Sequence, residues 1–369
     1  MQPIIKWPGG KRRELALLRP LFPAHRRLVE PFVGGAAAFC ALEPAAALLN
    51  DLDPDLIAFY RAVGSADPAT ALLFHQLAAA FGAVLAAGRY FAPVLAAAYR
   101  RPEFSAAGVT PHAVGAILAE LSLRPVSPFL AYWPLRPFLS HALNDKLARL
   151  RALELVKPIP EADLREQLTT AAVSALYVYL RDHFRPASNA EATAVFWFLR
   201  ETCYGSLNRY NRAGHFNVPY GGASYNDVDL AAKVERLLAP QTGALFARAT
   251  LSCLDFEAFF AAYGAGQPGD FIFLDPPYDS TFSSYGARPF GPAEQASLAE
   301  IVAAATQPTM LVIRRTPLIE GLYRDRGLTL ATYSRTYGVN IRGRFPRAAE
   351  HLLVLNYPLP ASSGAVALP

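Results

Sequence analysis

Several residue patterns that mark common protein classes are missing from this chain. Its three cysteines in 369 residues, Cys40, Cys203 and Cys253, are far apart and odd in number, so we expect neither a disulfide framework nor a zinc site. Its seven histidines show no ligand spacing and no carboxylate cluster accompanies them, so no metal is expected. Charged residues make up 18% of the chain and hydrophobic residues 53%, which is typical of a folded globular protein and excludes a disordered one.

The chain also lacks an uninterrupted apolar run that would predict a membrane span. The Ala-rich residues 78–98 come nearest, but Arg89 and Pro93 interrupt them, and a packed pair of helices is expected there. Residues 1–6 lack the apolar core of a signal peptide. The expected location is therefore a reducing cytoplasm, with no membrane partner.

The net charge is +5 and the pI is near 9.1, which permits a polyanionic partner. Basic residues concentrate in three distant segments, and a fold that joined these segments would present a basic face to nucleic acid. They are Lys6, Lys11, Arg12 and Arg13; Arg200, Arg209 and Arg212; and Arg335, Arg342, Arg344 and Arg347.

One run has specific chemistry, Phe-Ile-Phe-Leu-Asp-Pro-Pro-Tyr at residues 271–278. Its four apolar residues predict a strand that is buried on both faces of a parallel sheet. The two prolines end that strand, because they have no amide hydrogen and restrict the residue before them. Asp275 is therefore expected at the carboxyl end of the strand, where open α/β sheets bind their ligands.

Three groups in this run suit a planar substrate that carries an amino group. The Asp275 carboxylate and the Pro276 carbonyl would accept the two amino hydrogens, and the ring of Tyr278 would stack on the substrate. The residues alone leave a second interpretation open, in which the strand ends in a proline-rich turn that Asp275 merely caps.

The first 51 residues predict a nucleotide site. A short strand at 27–32 runs into the small-residue turn Gly34-Gly35, a helix follows, and the next strand, 47–49, ends at Asn50-Asp51. This is the βαβ layout that binds nucleotides, with the acid about 20 residues beyond the glycines. The glycines would let the backbone approach a ligand closely, and Asp51 would accept hydrogen bonds from both ribose hydroxyls.

Between two stretches of α/β character the composition changes. Residues 65–198 are rich in Ala and Leu, with helices expected at 141–156 and 161–184 and a proline-dense connector at 124–138. Strand patterns return after residue 245. The sequence therefore predicts a doubly wound, mostly parallel sheet whose first two strands precede a helical insertion and whose remaining five follow it.

Five motifs stand in the order found in the Dam-like family of DNA adenine methyltransferases, and on their account the chain resembles that family. The resemblance covers roughly residues 1–60 and 175–357. The motifs are Lys6-Trp7-Pro8-Gly9-Gly10-Lys11, Glu30-Pro31-Phe32-Val33-Gly34-Gly35-Ala36, Asn50-Asp51-Leu52-Asp53, Asn208-Arg209-Tyr210-Asn211 with Phe216-Asn217-Val218-Pro219-Tyr220-Gly221, and Asp275-Pro276-Pro277-Tyr278.

This resemblance implies a Rossmann-like methyltransferase fold, an α/β fold with a seven-stranded sheet. It also implies direct transfer of a methyl group from S-adenosylmethionine to the exocyclic N6 amine of an adenine flipped out of double-stranded DNA. The catalytic domain would comprise residues 1–62 and 241–360, followed by a tail at 361–369. Residues 63–240 would form a helical insertion and target-recognition domain with a β-hairpin at 203–222.

The resemblance also assigns residue roles, by their match to the family's motifs. The catalytic residues would be Asp275, Pro276, Pro277 and Tyr278. The cofactor-binding residues would be Lys6, Trp7, Gly9, Gly10, Lys11, Glu30, Pro31, Phe32, Gly34, Gly35, Asp51, Asp255 and Asp275. The DNA-binding residues would be Lys11, Arg209, Tyr210, Asn211, Arg212 and Asn217. For Asp255 the residues leave open a second role, the N-cap of a following helix.

Two departures from the family pattern concern target recognition: Gly205-Ser206-Leu207 stands where relatives commonly have Asn-Gly-Leu, and Arg314-Arg315 where a Ser-Asn pair is usual.

Two other functions stay open. One is a methyltransferase of the same fold acting on cytosine N4, RNA adenine or a protein amide, and the other is a non-catalytic DNA-binding subunit of a restriction or phage-defence system. Three roles are open for the insertion: a longer DNA footprint, the binding of a partner subunit, or support for the hairpin.

Overall fold

The computed structural model describes residues 1–11, 14–101, 105–122, 129, 132–211, 213–278, 290–336, 348–359 and 366–367. The chain divides into two compact units. What we call the sheet unit comprises Met1–Ser65, Leu207–Phe216 and Pro240–Pro369, and the helical unit comprises Ala66–Ser206 and Asn217–Ala239. The segment 203–222, where a hairpin is predicted, is thus divided between the two units.

One eight-stranded sheet organises the sheet unit. In chain order its strands are β1 (Arg27–Glu30), β2 (Ala46–Asn50), β3 (Ala249–Ser252), β4 (Asp270–Leu274), β5 (Thr309–Arg314), β6 (Thr329–Thr336), β7 (Ala348–Leu355) and β8 (Val366–Ala367). Their spatial order is β3-β2-β1-β4-β5-β7-β6-β8. Neighbours from β3 to β5 pair in parallel, and β7 is antiparallel to both β5 and β6. The predicted α/β class with a seven-stranded, mostly parallel sheet is confirmed, and β8 adds a two-residue edge.

The sheet reverses its strand order between β1 and β4. From β1 the chain proceeds outward through β2 and β3, whereas from β4 it proceeds through β5 in the other direction. All five residues of β4 are buried, as the apolar run predicted. Glu30 ends β1 and Asp275 directly follows β4, so both acids lie at the carboxyl edge of the switch point, where open α/β sheets bind ligands.

Thirteen α-helices are described. They are α1 (Leu15–Leu18), α2 (Ala37–Leu42), α3 (Pro54–Gly64), α4 (Pro68–Tyr99), α5 (Ala106–Ser122), α6 (Tyr132–Glu154), α7 (Glu161–Asp182), α8 (Asn189–Thr202), α9 (Leu230–Leu237), α10 (Pro240–Phe246), α11 (Phe256–Tyr263), α12 (Pro292–Ala304) and α13 (Pro317–Tyr323). Short 3₁₀ helices cover Arg19–Leu21, Tyr204–Ser206 and Ala223–Tyr225. Helices α4 to α9 belong to the helical unit.

The long helix α4 packs along α7 in the helical unit. Gly88 permits this close approach, since an added Cβ would lie 3.2 Å from the Ala172 Cβ and 3.3 Å from the Thr169 oxygen. The predicted pair of helices over 78–98 is wrong, because Pro93 lies inside one continuous helix. A single proline removes one hydrogen bond, and the burial of α4 against its neighbours offsets that loss.

The start of α6 also differs from the sequence prediction. The helix begins at Tyr132, so the predicted connector 124–138 is helical from that residue onward. The helix expected at 141–156 is the later part of α6, which ends at Glu154. Pro134 falls in the first turn, where the missing amide hydrogen has no partner to lose, and the fixed φ of proline is already helical. Residues 123–128, 130 and 131 of the connector lie outside the described residues.

Within the described part of the chain, α4 is the one helix long and apolar enough to cross a membrane by length and composition. Half of its most apolar window is buried inside the protein. A core helix that packs inside a globular unit can be equally long and apolar.

Asn50, the last residue of β2, joins the carboxyl ends of three strands. Its Nδ2 donates to the Pro31 oxygen at 3.0 Å and to the Leu254 oxygen at 2.9 Å. Its Oδ1 accepts from the Leu254 amide at 3.0 Å and from the Ser252 hydroxyl at 2.8 Å. Asn50 is 1% exposed and its bond to Pro31 is buried, whereas its bonds to Leu254 and Ser252 are partly buried, so Asn50 satisfies backbone groups that are shielded from water to different degrees.

We expect Asn50→Ala to lower the free energy of unfolding by about 2–4 kcal/mol, because it leaves buried backbone donors and acceptors unsatisfied. Urea denaturation measures this effect. Ser252→Ala is the matched control, since it removes one of the four bonds and should cost about 1 kcal/mol or less. Equal stability of Asn50→Ala and the unmodified protein would contradict the assignment.

Candidate active site

The turn after β4 presents Asp275 at the rim of the sheet. The Asp275 side chain is 21% exposed, Pro276 is buried, and Pro277 and Tyr278 are half-buried. The carboxylate forms a salt bridge with the ammonium group of Lys11, which is 264 positions away in sequence. Asp275 is therefore part of a long-range contact in addition to any local effect on the turn.

Lys11 reaches this turn from the N-terminal segment. Its Nζ donates to the Asp275 carboxylate, to the Tyr278 hydroxyl at 2.8 Å and, weakly, to the Gly9 oxygen at 3.4 Å. Lys11 is 1% exposed, so its charge is removed from water and is compensated by the carboxylate. The sequence assigned Lys11 to cofactor and DNA binding, and the structure adds its contact with Asp275 and Tyr278, the residues for which the resemblance implied catalysis.

The glycine turn after β1 lies under Trp7. An added Cβ at Gly34 would lie 2.9 Å from the Trp7 Cδ1, and one at Gly35 would lie 3.1 Å from the Trp7 Cβ. Gly34 also has a φ of +46°. The sequence explained these glycines by the close approach of a ligand, and the structure adds the indole as a second neighbour that requires them.

Asp51 holds the same turn from β2. Its Oδ2 accepts from the Gly34 amide at 2.9 Å, and its Oδ1 accepts from the Asp53 amide at 3.1 Å. The Tyr60 hydroxyl donates to the Gly34 oxygen at 2.6 Å. Burial raises the pKa of Asp51, while these amide hydrogen bonds oppose the increase. The Leu52 amide is a third donor to this carboxylate, which leaves only part of its acceptor capacity for a ligand.

Glu30 is the most strongly perturbed acid of the site. It is 2% exposed, and its Oε1 has no hydrogen-bond partner among the described residues. Burial raises its pKa to about 8; the amide of Phe39 opposes this shift and the charge of Asp275 adds to it. A buried carboxyl group with a free acceptor is suited to a cationic ligand.

The other predicted cofactor residues lie around these two turns. Pro31 is held through its oxygen by Asn50, and Phe32 packs against Phe290 with the ring centroids 5.6 Å apart. Asp255 accepts from the Ala258 amide at 2.9 Å as the N-cap of α11, the second role that the sequence left open. The remaining three belong to the segment around Trp7: Lys6 is half-buried, Gly9 has a φ of +74°, and Gly10 lies next to the Trp7 oxygen.

The predicted recognition hairpin consists of two isolated antiparallel bridges, Cys203 with Tyr220 and Tyr210 with Phe216. A 3₁₀ turn at Tyr204–Ser206, with Gly205 at a φ of +61°, interrupts any ladder between them. At the tip, the Asn211 Oδ1 accepts from the amides of residues 213 and 215. This side chain shapes the loop, so the predicted continuous hairpin is replaced by bridges and a side-chain turn.

The predicted DNA-binding residues differ in exposure. Arg209 and Asn211 are exposed, whereas Tyr210 and Asn217 are half-buried. Arg212 lies outside the described residues. The structure corrects the predicted basic face at Arg200, which is 1% exposed and donates to the Ser206 oxygen at 3.1 Å.

The sequence reasoning missed several residues that organise the site. Asn50 was recognised only as part of a motif, and no role was assigned to Tyr60, Gln295 or Tyr333. His351, one of the histidines without ligand spacing, is buried beside Tyr278. The available signal was a polar residue at a position where the pattern calls for an apolar one. Within the described ranges, no group of three or more His, Cys, Asp or Glu side chains is placed to hold a metal ion.

Comparison with known proteins identifies relatives that match nearly the whole chain. The chain is 26% identical over 357 residues to the retron Ec67 DNA adenine methylase of Escherichia coli, covering 96% of this chain and 91% of that protein. It is 24% identical over 364 residues to the type II methyltransferase M.CviBI of Paramecium bursaria Chlorella virus NC1A, covering 97% and 100%. It is 23% identical over 364 residues to the DNA adenine methylase of Vibrio cholerae, covering 96% and 95%.

A family model extends these pairwise similarities. The model of the D12 class N6 adenine-specific DNA methyltransferases matches residues 7–84 and 142–337, well over half of the chain. The unmatched stretch, 85–141, is narrower than the one the motifs suggested and contains the end of α4, α5 and the start of α6. The chain belongs to the D12 class of N6 adenine-specific DNA methyltransferases, the family that its five motifs predicted.

Proposed function

We propose that this adenine-specific DNA methyltransferase takes its methyl group from S-adenosylmethionine and acts on an adenine turned out of double-stranded DNA, with Asp275, Pro276, Pro277 and Tyr278 as its catalytic residues. One observation carries the residue roles: the Lys11 ammonium group is bound by the Asp275 carboxylate and the Tyr278 hydroxyl. Acceptors of the catalytic turn therefore converge on the position of an amino group, as binding of the target amine requires.

The target amine replaces Lys11 in this turn. The Asp275 carboxylate and the Pro276 carbonyl accept its two hydrogens, which favours a pyramidal nitrogen and stabilises the positive charge that grows on it. The Tyr278 ring stacks on the base. S-adenosylmethionine, when bound, supplies a methyl group activated by a positively charged sulfur. The residues act by positioning, so no covalent enzyme intermediate is needed.

The groups around the glycine turn fit this methyl donor. The unpartnered Glu30 Oε1 provides a buried acceptor for its positive charge, and Asp51 provides carboxylate lone pairs for its ribose hydroxyls. Trp7 lies against the turn with the Lys6 and Gly9-Gly10 segment, which in the resemblance closes over the methionine end. Phe32 and Asp255 complete the set we assign to the cofactor.

DNA is bound, in this proposal, by Arg209, Tyr210, Asn211, Arg212 and Asn217, through phosphates and base edges. Lys11 joins them once it has left the catalytic turn.

Sequencing of plasmid DNA after expression of the protein, with detection of modified adenines, identifies the target site. The three free cysteines fit a reducing cytoplasm, which we propose as the location.

We expect Asp275→Ala to reduce methyl transfer by roughly a hundred-fold or more while S-adenosylmethionine still binds, because an aligned acceptor of the target amine is lost. Transfer is measured with tritiated cofactor and unmethylated plasmid DNA, and binding by calorimetry. Asp270→Asn is the matched control, since this acid stands at the opposite end of β4 and pairs with Arg27. Normal turnover by Asp275→Ala would refute the catalytic assignment.

The buried Glu30 predicts a pH dependence of cofactor binding. Its pKa is raised to about 8, so the folded protein without cofactor holds a proton that the unfolded chain releases near pH 4.5, and stability falls as pH rises between these values. A cationic ligand favours the ionised form. Affinity for S-adenosylmethionine should therefore increase from pH 6 to about pH 8, by up to about tenfold per pH unit, and then level off.

Calorimetry across this pH range checks the prediction for Glu30. Glu30→Gln should bind with an affinity that changes little over the same range, because the titrating group is gone. Glu43→Gln should keep the pH dependence, since Glu43 is exposed and pairs with the N-terminal ammonium group. An unchanged pH profile in Glu30→Gln would show that another group is responsible.

A further inference from the structure

The catalytic turn, residues 275–278, has two positions without a backbone hydrogen-bond donor. Pro276 and Pro277 are consecutive, so neither residue has an amide hydrogen that could fix the turn by backbone bonding. Donors from other parts of the protein can fix the turn through its carbonyl groups. Such donors determine where Tyr278, the next residue, points.

Gln295 supplies one of these donors from α12. Its Nε2 donates to the Pro277 oxygen at 2.9 Å. The neighbouring Pro276 oxygen is the acceptor that the proposed function assigns to the target amine. Gln295 therefore fixes one carbonyl of the turn and leaves the neighbouring one for the substrate.

The amide of Gln295 is buried on an otherwise apolar face of α12. The buried face of α12 is Gln295, Leu298, Ala299 and Val302, each 0% exposed, and Gln295 is the one polar member. Its Oε1 has no hydrogen-bond partner among the described residues, which costs stability in a buried site. The reverse amide orientation would set two oxygens against each other, so the bond to Pro277 determines the orientation.

His351 contacts the other end of the Tyr278 side chain from β7. Its Nε2 lies 3.3 Å from the Tyr278 hydroxyl oxygen, and the two rings meet edge to face with centroids 5.7 Å apart. His351 is fully buried and pairs in the sheet with Arg314 and Tyr333. It therefore has a fixed position relative to the strands on which the site is built.

Tyr333 in turn fixes His351. The two rings stack with centroids 5.2 Å apart and an interplanar angle of 23°. The Tyr333 hydroxyl donates to the Glu14 carboxylate, which is also buried, and the Glu14 amide donates to the Lys11 oxygen at 2.8 Å. Burial and the charge of Glu14 raise the pKa of Tyr333, so its hydroxyl remains a donor.

We propose that Gln295 and His351 are positioning residues that hold the Pro277–Tyr278 end of the catalytic turn in the orientation that receives the target base. Gln295 acts on the backbone at Pro277 and His351 on the hydroxyl of Tyr278. This inference rests on the proposed role of Tyr278 in base binding. Neither residue touches the substrate in this scheme.

Two variants of similar size to glutamine test Gln295. Gln295→Leu removes the amide, and Gln295→Glu keeps the shape but loses the donor once its buried carboxyl group ionises at high pH. With tritiated S-adenosylmethionine and unmethylated plasmid DNA, we expect kcat to fall about tenfold or more in Gln295→Leu, and in Gln295→Glu at high pH, while KM for the cofactor stays within about threefold. For Gln295→Glu the ratio of kcat to that of the unmodified enzyme should recover as pH falls, because a protonated carboxyl group can donate to Pro277.

Gln76→Leu is the matched control. Gln76 is a partly buried glutamine of the helical unit whose amide oxygen also lacks a partner among the described residues. This variant should keep both kcat and KM. His351→Phe, which retains a ring to stack on Tyr333, tests the second positioning residue and should lower kcat in the same manner.

A double-mutant cycle separates positioning from a general structural effect. In a Tyr278→Ala background, Gln295→Leu and His351→Phe should each change kcat by less than about twofold, because both act through Tyr278. Full, additive losses in that background would overturn the proposal, as would normal kcat in both Gln295 variants. The proposed function fails separately, if the unmodified enzyme transfers no methyl group to DNA. If Gln295→Leu does not fold, Gln295→Glu and His351→Phe give the same comparison.

Discussion

The salt bridge between Lys11 and Asp275 is the interaction on which the geometry of the site depends. It buries an ammonium group that is 1% exposed, and such a charge is tolerated only next to an acid that compensates it. Because Lys11 also binds the Tyr278 hydroxyl, one amino group orders both ends of the catalytic turn. In the function proposed above, the amine of the target base takes the position that the Lys11 ammonium group has in this structure.

At the carboxyl edge of the sheet, side chains from distant elements make hydrogen bonds to backbone groups of the turns. The turn after β4 has no amide hydrogens at its two prolines, and Gln295 supplies the missing donor. The glycine turn after β1 is held by Asp51 and Tyr60, and Asn50 joins the ends of three strands. Each of these groups is at least partly shielded from water, so losing one leaves a polar partner unsatisfied. These hydrogen bonds restrain the two turns, which suits the proposed role of the residues in positioning.

The sequence predictions that failed share a physical cause. Arg200 was assigned to a basic surface by its charge alone, yet it is buried in the helical unit. The prolines of 124–138 suggested a connector, yet α6 has Pro134 in its first turn, where no hydrogen bond is lost, and also contains Pro137 in its interior. The aromatic and polar alternation of 203–222 suggested paired strands, but Gly205 and the Asn211 turn leave two isolated bridges. In all three cases a local pattern was compatible with more than one tertiary environment.

The sequence by itself determined the features that depend on covalent structure and local pattern. The apolar run before two prolines predicted a buried strand that ends at Asp275, the glycines and Asp51 predicted the βαβ turn, and the order of the motifs predicted the family. Tertiary structure alone decided which buried polar groups meet. Lys11 and Asp275 are 264 residues apart, and Gln295 and His351 gave only the weak signal of a polar residue among apolar ones. Pairing of this kind depends on how helices and strands pack, and long-range packing is not encoded in any local stretch of the chain.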